Sequence, residues 1–103
     1  MMAEMYRQGD VLLMKISDLP TNAVRKKVPD RVVLAWGETT GHAHAINSQF
    51  ADLYEAGTQA FIMCKEGATL VHEEHSAIAL TPGVDRVVRQ REYTPGAIRE
   101  VAG

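Results

Sequence analysis

The four histidines of this 103-residue chain fall into two close pairs. His42 and His44 are separated by one residue, whereas His72 and His75 enclose two glutamates. The imidazole ring is the side chain best suited to bind a metal or to transfer a proton near neutral pH. Since four unrelated histidines would be expected to scatter along a chain, this clustering indicates a metal site or an acid–base site.

The spacing of the first pair suits two ligands to one ion. On an extended strand, His42 and His44 project from the same face with their Cα atoms about 6.6 Å apart, because each residue advances the strand by roughly 3.3 Å. Two rings at this spacing can bind one zinc ion at about 2.0–2.1 Å per bond. Taken alone, the pattern also fits two ordinary half-exposed histidines.

The second pair adds carboxylates to the imidazoles. In a regular strand His72 and Glu74 share one face while Glu73 and His75 share the other, whereas in a turn the two histidines converge. Either geometry offers at least one imidazole and one carboxylate to a shared site. Two or three histidines with a carboxylate bind zinc, non-haem iron, manganese or nickel.

Together the two pairs predict a divalent transition-metal ion (Zn, Fe, Mn or Ni) and a small metal-dependent enzyme, such as a hydrolase, in which the ion polarises the substrate or activates water. Glu74, or Glu73 if the strand is irregular, is then the predicted general base or a further ligand. A metal-free histidine–glutamate acid–base site is the alternative. The predicted metal ligands are His42, His44 and one or both of His72 and His75.

The last predicted strand is basic. With alternation along the strand, Arg89, Arg91 and Tyr93 share one face and Arg86 lies on the other. Arg89 and Arg91 are therefore predicted to hold a small anionic substrate, such as a phosphate ester or a carboxylate. A solvated strand face that is paired with Glu92 and other acidic residues is the alternative. The alternative function is a non-enzymatic interaction or regulatory module, in which the histidines hold structure and this basic strand meets a partner.

The apolar runs that must position these residues are short, and turns rich in Gly and Pro separate them every 8–12 residues or so, which favours an all-β barrel or sandwich. Thr94 followed by Pro95 is a capping pair that predicts a short C-terminal helix to about Val101. The predicted strands cover residues 11–16, 31–36, 42–46, 52–54, 59–64, 69–72, 78–80 and 86–93.

The length and composition predict one domain over residues 1–103, because a second core could not close at this length. A formal charge of −2 gives no global attraction to nucleic acid or to a membrane surface. The single cysteine, Cys64, lies in an apolar run and is predicted to be a buried, inert thiol. Because a single cysteine cannot form an internal disulfide, the sequence favours a reducing compartment such as the cytoplasm. Unpaired sheet edges predict a homo-oligomer, with Val87 and Val88 at the contact.

Four segments of the chain resemble a family of small uncharacterised bacterial and phage-type proteins. They read YRQGDVLL at residues 6–13, TGHAH at 40–44, HEEH at 72–75 and VVRQREY at 87–93. The resemblance implies no particular activity. Asp85 stands where it leads us to expect an aromatic residue, and this departure could alter packing or association near the last strand. The start of the first predicted strand, at Gly9, also resembles that of GroES-like barrels.

A shorter window resembles the first motif of the cupins, which is a glycine, an H-x-H pair and a glutamate. Here the corresponding residues are Gly37, His42, His44 and Gln49. The spacing from the glycine to the first histidine is one residue shorter, and Gln49 stands in the position of the glutamate. The second histidine pair precedes the turn at Pro82–Gly83, whereas the second cupin motif places its histidine after such a turn. The resemblance implies cupin-like metal chemistry on an all-β fold.

Overall fold

Ten antiparallel β-strands make up the computed structural model, which describes residues 4–37 and 41–89; within these ranges there is no helix, and hence none that could cross a membrane. The predicted all-β class is confirmed, and the predicted C-terminal helix from Thr94 lies outside the described residues. The strands are β1 (Met5–Gln8), β2 (Val11–Ile16), β3 (Val24–Lys26), β4 (Arg31–Trp36), β5 (Ala43–Asn47), β6 (Ala51–Ala56), β7 (Gln59–Cys64), β8 (Thr69–His72), β9 (His75–Ala79) and β10 (Gly83–Arg89).

The strands form two open sheets. Six strands pair in the order β1-β2-β10-β7-β6-β3, and four pair in the order β4-β5-β8-β9. A closed barrel, one of the two predicted architectures, is therefore wrong for the described residues. Closure requires the outermost strands to hydrogen-bond to each other, and here they do not.

Apolar residues of both sheets meet in one buried core. Val11 and Leu13 project into it from β2, whereas Leu12 between them is only half-buried, as expected where one face of a strand is covered. The second sheet contributes Val32 and Ile46, which are fully buried. The inner strands of each sheet are thereby fixed against each other, and residues at their ends acquire defined positions.

Four of the predicted strands have the observed bounds: β2, β4, β7 and β8. The hairpin predicted around residues 55–58 is formed by β6 and β7, with Gly57 at a φ of 63° in the turn. The basic run at Arg25 belongs to β3, which is an edge strand of the six-stranded sheet. The strand β10 lies between β2 and β7, so the assignment of Val87 and Val88 beside a sheet edge is wrong. Self-association itself stays a prediction.

Asp85 is fully buried in β10 and forms an ion pair across the sheet. Its Oδ1 atom lies 2.9 Å from Nζ of Lys15, the residue opposite it on β2. The same ammonium group donates a hydrogen bond to the carbonyl oxygen of Thr81 at 2.9 Å. A charged pair between neighbouring strands therefore stands where the resemblance led us to expect an aromatic side chain.

Cys64 is buried at the end of β7, with 4% of its surface exposed. Burial, reinforced by the nearby negative charge of Asp85, raises the pKa of the Cys64 thiol to about 11. Because the thiolate is the reactive form, this cysteine is inert at neutral pH. The predicted buried thiol is confirmed.

Candidate metal centre

The hairpin of β8 and β9 brings His72 and His75 together. His72 ends β8, His75 begins β9, and the two residues face each other across the hairpin with Glu73 and Glu74 in the turn. Their ring centroids are 4.7 Å apart. Of the two geometries that the sequence left open, the structure therefore adopts the turn, in which the two histidines converge.

His44 reaches the same place from β5, which pairs with β8. Its ring centroid lies 4.3 Å from that of His72 and 5.5 Å from that of His75. Each of the three rings offers one nitrogen such that the three nitrogens lie within 4.8 Å of one another. We call His44, His72 and His75 the histidine trio.

The histidine trio becomes more exposed from one member to the next. His44 is buried with 3% of its surface exposed, His72 is half-buried, and His75 is exposed. Ligands bound tetrahedrally to zinc lie roughly 3.4 Å apart, given bonds of about 2.0–2.1 Å. Rotations that bring the nitrogens closer by up to about 1.4 Å would therefore suffice to bind one ion, and its remaining face would open toward solvent.

His42 does not join the trio. It precedes β5, and its ring centroid is 5.9 Å from that of His72 in an edge-on arrangement. Its Nδ1 atom lies 3.3 Å from Oε2 of Glu74, but the two groups are not aligned for a hydrogen bond. The two members of the H-x-H pair thus have different surroundings, since His42 lies beside Glu74 and His44 lies among the rings of His72 and His75.

The two glutamates of the turn also lie outside the trio. Oε1 of Glu73 accepts a hydrogen bond from the backbone N–H of Ala43 at 3.0 Å, and this bond is the main reason that the pKa of Glu73 is lowered. Glu73 therefore connects the hairpin turn to the start of β5. Glu74 is 60% exposed beside His42. Neither glutamate has a carboxylate oxygen within 4.8 Å of the ligand nitrogens of all three rings.

The turn between β1 and β2 supplies two neighbours of His44 that the sequence did not reveal. Oε1 of Gln8 lies 2.8 Å from Nδ1 of His44, and Oδ1 of Asp10 lies 3.6 Å from its Nε2. The sequence pattern assigned neither residue a role in the site. No local sequence pattern could have predicted these contacts, because Gln8 and His44 are 36 residues apart along the chain.

Two glycines let the backbone approach the cluster closely. A Cβ atom on Gly9 would lie 3.0 Å from Nε2 of His75 and 3.2 Å from Cε1 of His44. On the other side, a Cβ atom on Gly37 would lie 3.1 Å from Nε2 of His72. Gly9 also has a φ of 59°, a conformation that side chains rarely adopt. Any larger residue at position 9 would displace two members of the trio.

Arg89, one of the two predicted substrate-binding residues, lies beside this site. Its Nη2 atom is 3.4 Å from Oδ2 of Asp10, whose other oxygen faces His44. Arg91, the other predicted substrate-binding residue, lies outside the described residues. The carboxylate of Asp10 thus lies between the guanidinium group of Arg89 and the ring of His44.

The electrostatic environment holds His44 in its neutral form. Burial lowers the pKa of His44 below its ordinary value of 6.5, and the neighbouring His72 lowers it further. Asp10 opposes this shift, since a carboxylate favours the charged imidazolium. A neutral imidazole keeps the lone pair that a metal ion requires.

The fold and the site describe a two-sheet, all-β protein with a cluster of imidazoles where the smaller sheet meets the β1–β2 turn. The chain belongs to the family described as a domain of unknown function, DUF8820, whose model matches residues 7–90. That range includes all four histidines together with Gln8, Asp10 and Arg89. No curated protein and no solved structure matches the chain.

Proposed function

We propose that this protein binds one divalent transition-metal ion through His44, His72 and His75 and uses it to act on a small anionic substrate. The observation that supports the proposal is the approach of three imidazole nitrogens to within 4.8 Å of one another. Because His44 is buried beside the other two rings, burial of its nitrogen lone pair costs free energy unless something bridges the three rings. A cation that shares their lone pairs would supply that bridge.

The ligand set favours catalysis over a structural role. A structural zinc takes all four ligands from protein, whereas a catalytic ion has three protein ligands and one open position. With His75 exposed, the open position would be accessible to water and to a substrate. The ion, when bound, would polarise a substrate oxygen or lower the pKa of a bound water to about 7. Zinc, iron, manganese and nickel all accept nitrogen ligands of this kind.

The neighbouring charges suggest the class of substrate. Arg89 lies 3.4 Å from Asp10, and Asp10 lies 3.6 Å from Nε2 of His44. An anionic group that exchanged partners with Asp10 could contact Arg89 while it remained close to the trio. Guanidinium groups bind carboxylates and phosphates with two parallel hydrogen bonds, which is why a phosphate ester or a carboxylate is the proposed substrate.

Glu74 and His42 are the proposed proton-transfer residues. Their side chains lie 3.3 Å apart, and the ring of His42 contacts that of His72 edge-on. Because 60% of Glu74 is exposed, its carboxylate could return a proton to solvent. A small rotation of His42 would complete the hydrogen bond between them. In this proposal His42 transfers protons beside the ion instead of binding it.

A cupin-like metal enzyme of bacterial or phage origin is the finer form of this proposal. It is supported by the all-β fold and by an H-x-H pair at the start of β5. The ligand set would differ from that of the cupin motif, since only His44 of the pair belongs to the trio.

The experiment that tests the proposal is a zinc titration of untagged, metal-free protein by calorimetry. We expect His44→Ala to weaken zinc binding at least about 100-fold, because changes in groups that merely orient a ligand already cost 10–100-fold. His42→Ala is the matched control, and we expect it to retain nearly the wild-type affinity. Equal losses in the two variants would contradict the assigned ligand set. A wild type that binds no zinc would favour the interaction module.

A further inference from the structure

Gln8 contacts His44 and both strands of the hairpin that carries His72 and His75. It ends β1 and is buried, with 3% of its surface exposed. Its Nε2 atom donates hydrogen bonds to the carbonyl oxygens of Leu70 at 3.2 Å and of Ser76 at 2.9 Å. Its Oε1 atom lies 2.8 Å from Nδ1 of His44. Both N–H groups of the buried amide and its oxygen therefore have partners.

These contacts fix which end of the amide faces His44. Carbonyl oxygens can only accept hydrogen bonds, so the two N–H groups of Gln8 must point at Leu70 and Ser76. The amide oxygen is thereby left facing the His44 ring, and this oxygen also only accepts. The proton in the contact must consequently belong to Nδ1 of His44.

A neutral imidazole carries one proton, so a protonated Nδ1 leaves the lone pair on Nε2. In His44 this Nε2 atom lies on the side of Asp10, away from Gln8. Histidines that bind metals through one nitrogen usually donate the other N–H to an oxygen acceptor, which fixes the tautomer and the orientation of the ring. The contact between Gln8 and His44 has this form before any ion binds.

Gln8 also holds the hairpin that carries the other two histidines. Leu70 belongs to β8 and Ser76 to β9, so one amide group connects both strands of the hairpin to β1. His72 and His75 lie within two residues of these anchor points. The position of the hairpin and the tautomer of His44 therefore depend on the same side chain.

We propose that Gln8 is the positioning residue of the site, which holds His44 as the Nδ1–H tautomer so that Nε2 is its ligand atom. The role of Nε2 as a ligand rests on the proposed function, whereas the tautomer does not. Gln8 itself does not contact the ion in this assignment.

The test is long-range ¹H–¹⁵N NMR spectroscopy of the metal-free protein, which distinguishes a protonated from an unprotonated ring nitrogen. At about pH 7.5, above the lowered pKa of His44, we expect a protonated Nδ1 and an unprotonated Nε2 in the wild type. A protonated Nε2 in the wild type would overturn the proposal without recourse to any variant.

Gln8→Met, which retains the length of the side chain but has no amide, tests the dependence on Gln8. We expect His44 to become a mixture of tautomers and the affinity for zinc to fall 10–100-fold or so. Gln49→Met makes the same change at an exposed residue and should alter neither measurement. Gln8→Glu retains an acceptor for Nδ1 and should restore the tautomer, even if the loss of two donors lowers stability.

Two outcomes separate this proposal from the proposed function. If Gln8→Met folds, retains the Nδ1–H tautomer and binds zinc as the wild type does, Gln8 is not the positioning residue. If the wild type shows the expected tautomer but binds no zinc, the proposed function fails while the control of the tautomer by Gln8 stands.

Discussion

Two clusters of polar side chains, one in each sheet, each contain a buried member, Asp85 in one and His44 in the other. In the six-stranded sheet, Lys15 and Asp85 have opposite charges and lie 2.9 Å apart. In the four-stranded sheet, each ring of the histidine trio offers one nitrogen, and these three nitrogens lie within 4.8 Å of one another. The first site contains its own counter-charge, because each partner compensates for the desolvation of the other. The second contains no such compensation among its three members.

Under the proposed function, the first site is structural and the second is the site of a ligand. A pair of opposite charges gains nothing from a further ion, whereas three imidazole rings offer three nitrogen ligands to a cation. Protonation of one ring makes protonation of its neighbours harder, as the effect of His72 on the pKa of His44 shows. We therefore expect changes at the first site to alter stability and changes at the second to alter metal affinity.

The largest effect is expected from breaking the ion pair. Asp85→Ala would leave Lys15 beside a cavity without its partner, and we expect the free energy of unfolding to fall by about 3 kcal/mol, since Lys15 can partly reach solvent. Asp52→Ala is the control, because Asp52 pairs with the mostly exposed Arg25 and should cost less than about 1 kcal/mol. Urea denaturation measures both. Similar losses in the two variants would show that burial does not distinguish these pairs.

A smaller effect is expected where the backbone touches the trio. Gly9 and Gly57 have nearly the same φ, 59° and 63°, so an alanine at either position costs about 1 kcal/mol of stability or slightly more. Only at Gly9 would the new Cβ atom meet His75 and His44, whereas at Gly57 nothing lies within 4 Å. We expect Gly9→Ala alone to weaken zinc binding, by roughly tenfold. Zinc titrations of both variants would decide, and equal affinities would argue against a site beside Gly9.

The smallest effect is a dependence of stability on pH. The pKa of His44 is lowered in the folded protein, so the unfolded chain binds the proton more readily. The contribution of His44 to stability is therefore complete above its ordinary value of 6.5 and is lost as the pH falls through the lowered value. Urea denaturation of the metal-free protein should show a greater loss on acidification than His44→Gln does. An identical loss in both proteins would contradict the assigned shift.

The sequence predicted the elements whose apolar runs are closed by turns. The bounds of β2, β4, β7 and β8 follow from such runs, because alternation and turn residues act locally. The short strands β1 and β3 were harder to recognise, since they are edge strands that depend on their pairing partners. The choice between a barrel and two open sheets depends on which strands pair, and strand pairing cannot be predicted from a local sequence pattern.

The candidate site was predicted in part. The approach of His72 to His75 follows from their spacing, since the sequence allowed a turn at Glu73, whereas the approach of His44 to both depends on the pairing of β5 with β8. The separation of His42 from the trio was not foreseen, because it depends on where β5 begins. Gln8 lies 62 residues from Leu70 along the chain, so its support of the site arises only from the fold.

Elemental analysis of untagged protein, purified without chelators, is the most direct test of the central claim. We expect about one transition-metal ion per chain in the wild type, either as purified or after zinc is added and the excess removed, and close to none in His44→Ala treated in the same way. A folded wild type that retains no metal under either condition would contradict the assignment of the histidine trio as a metal centre.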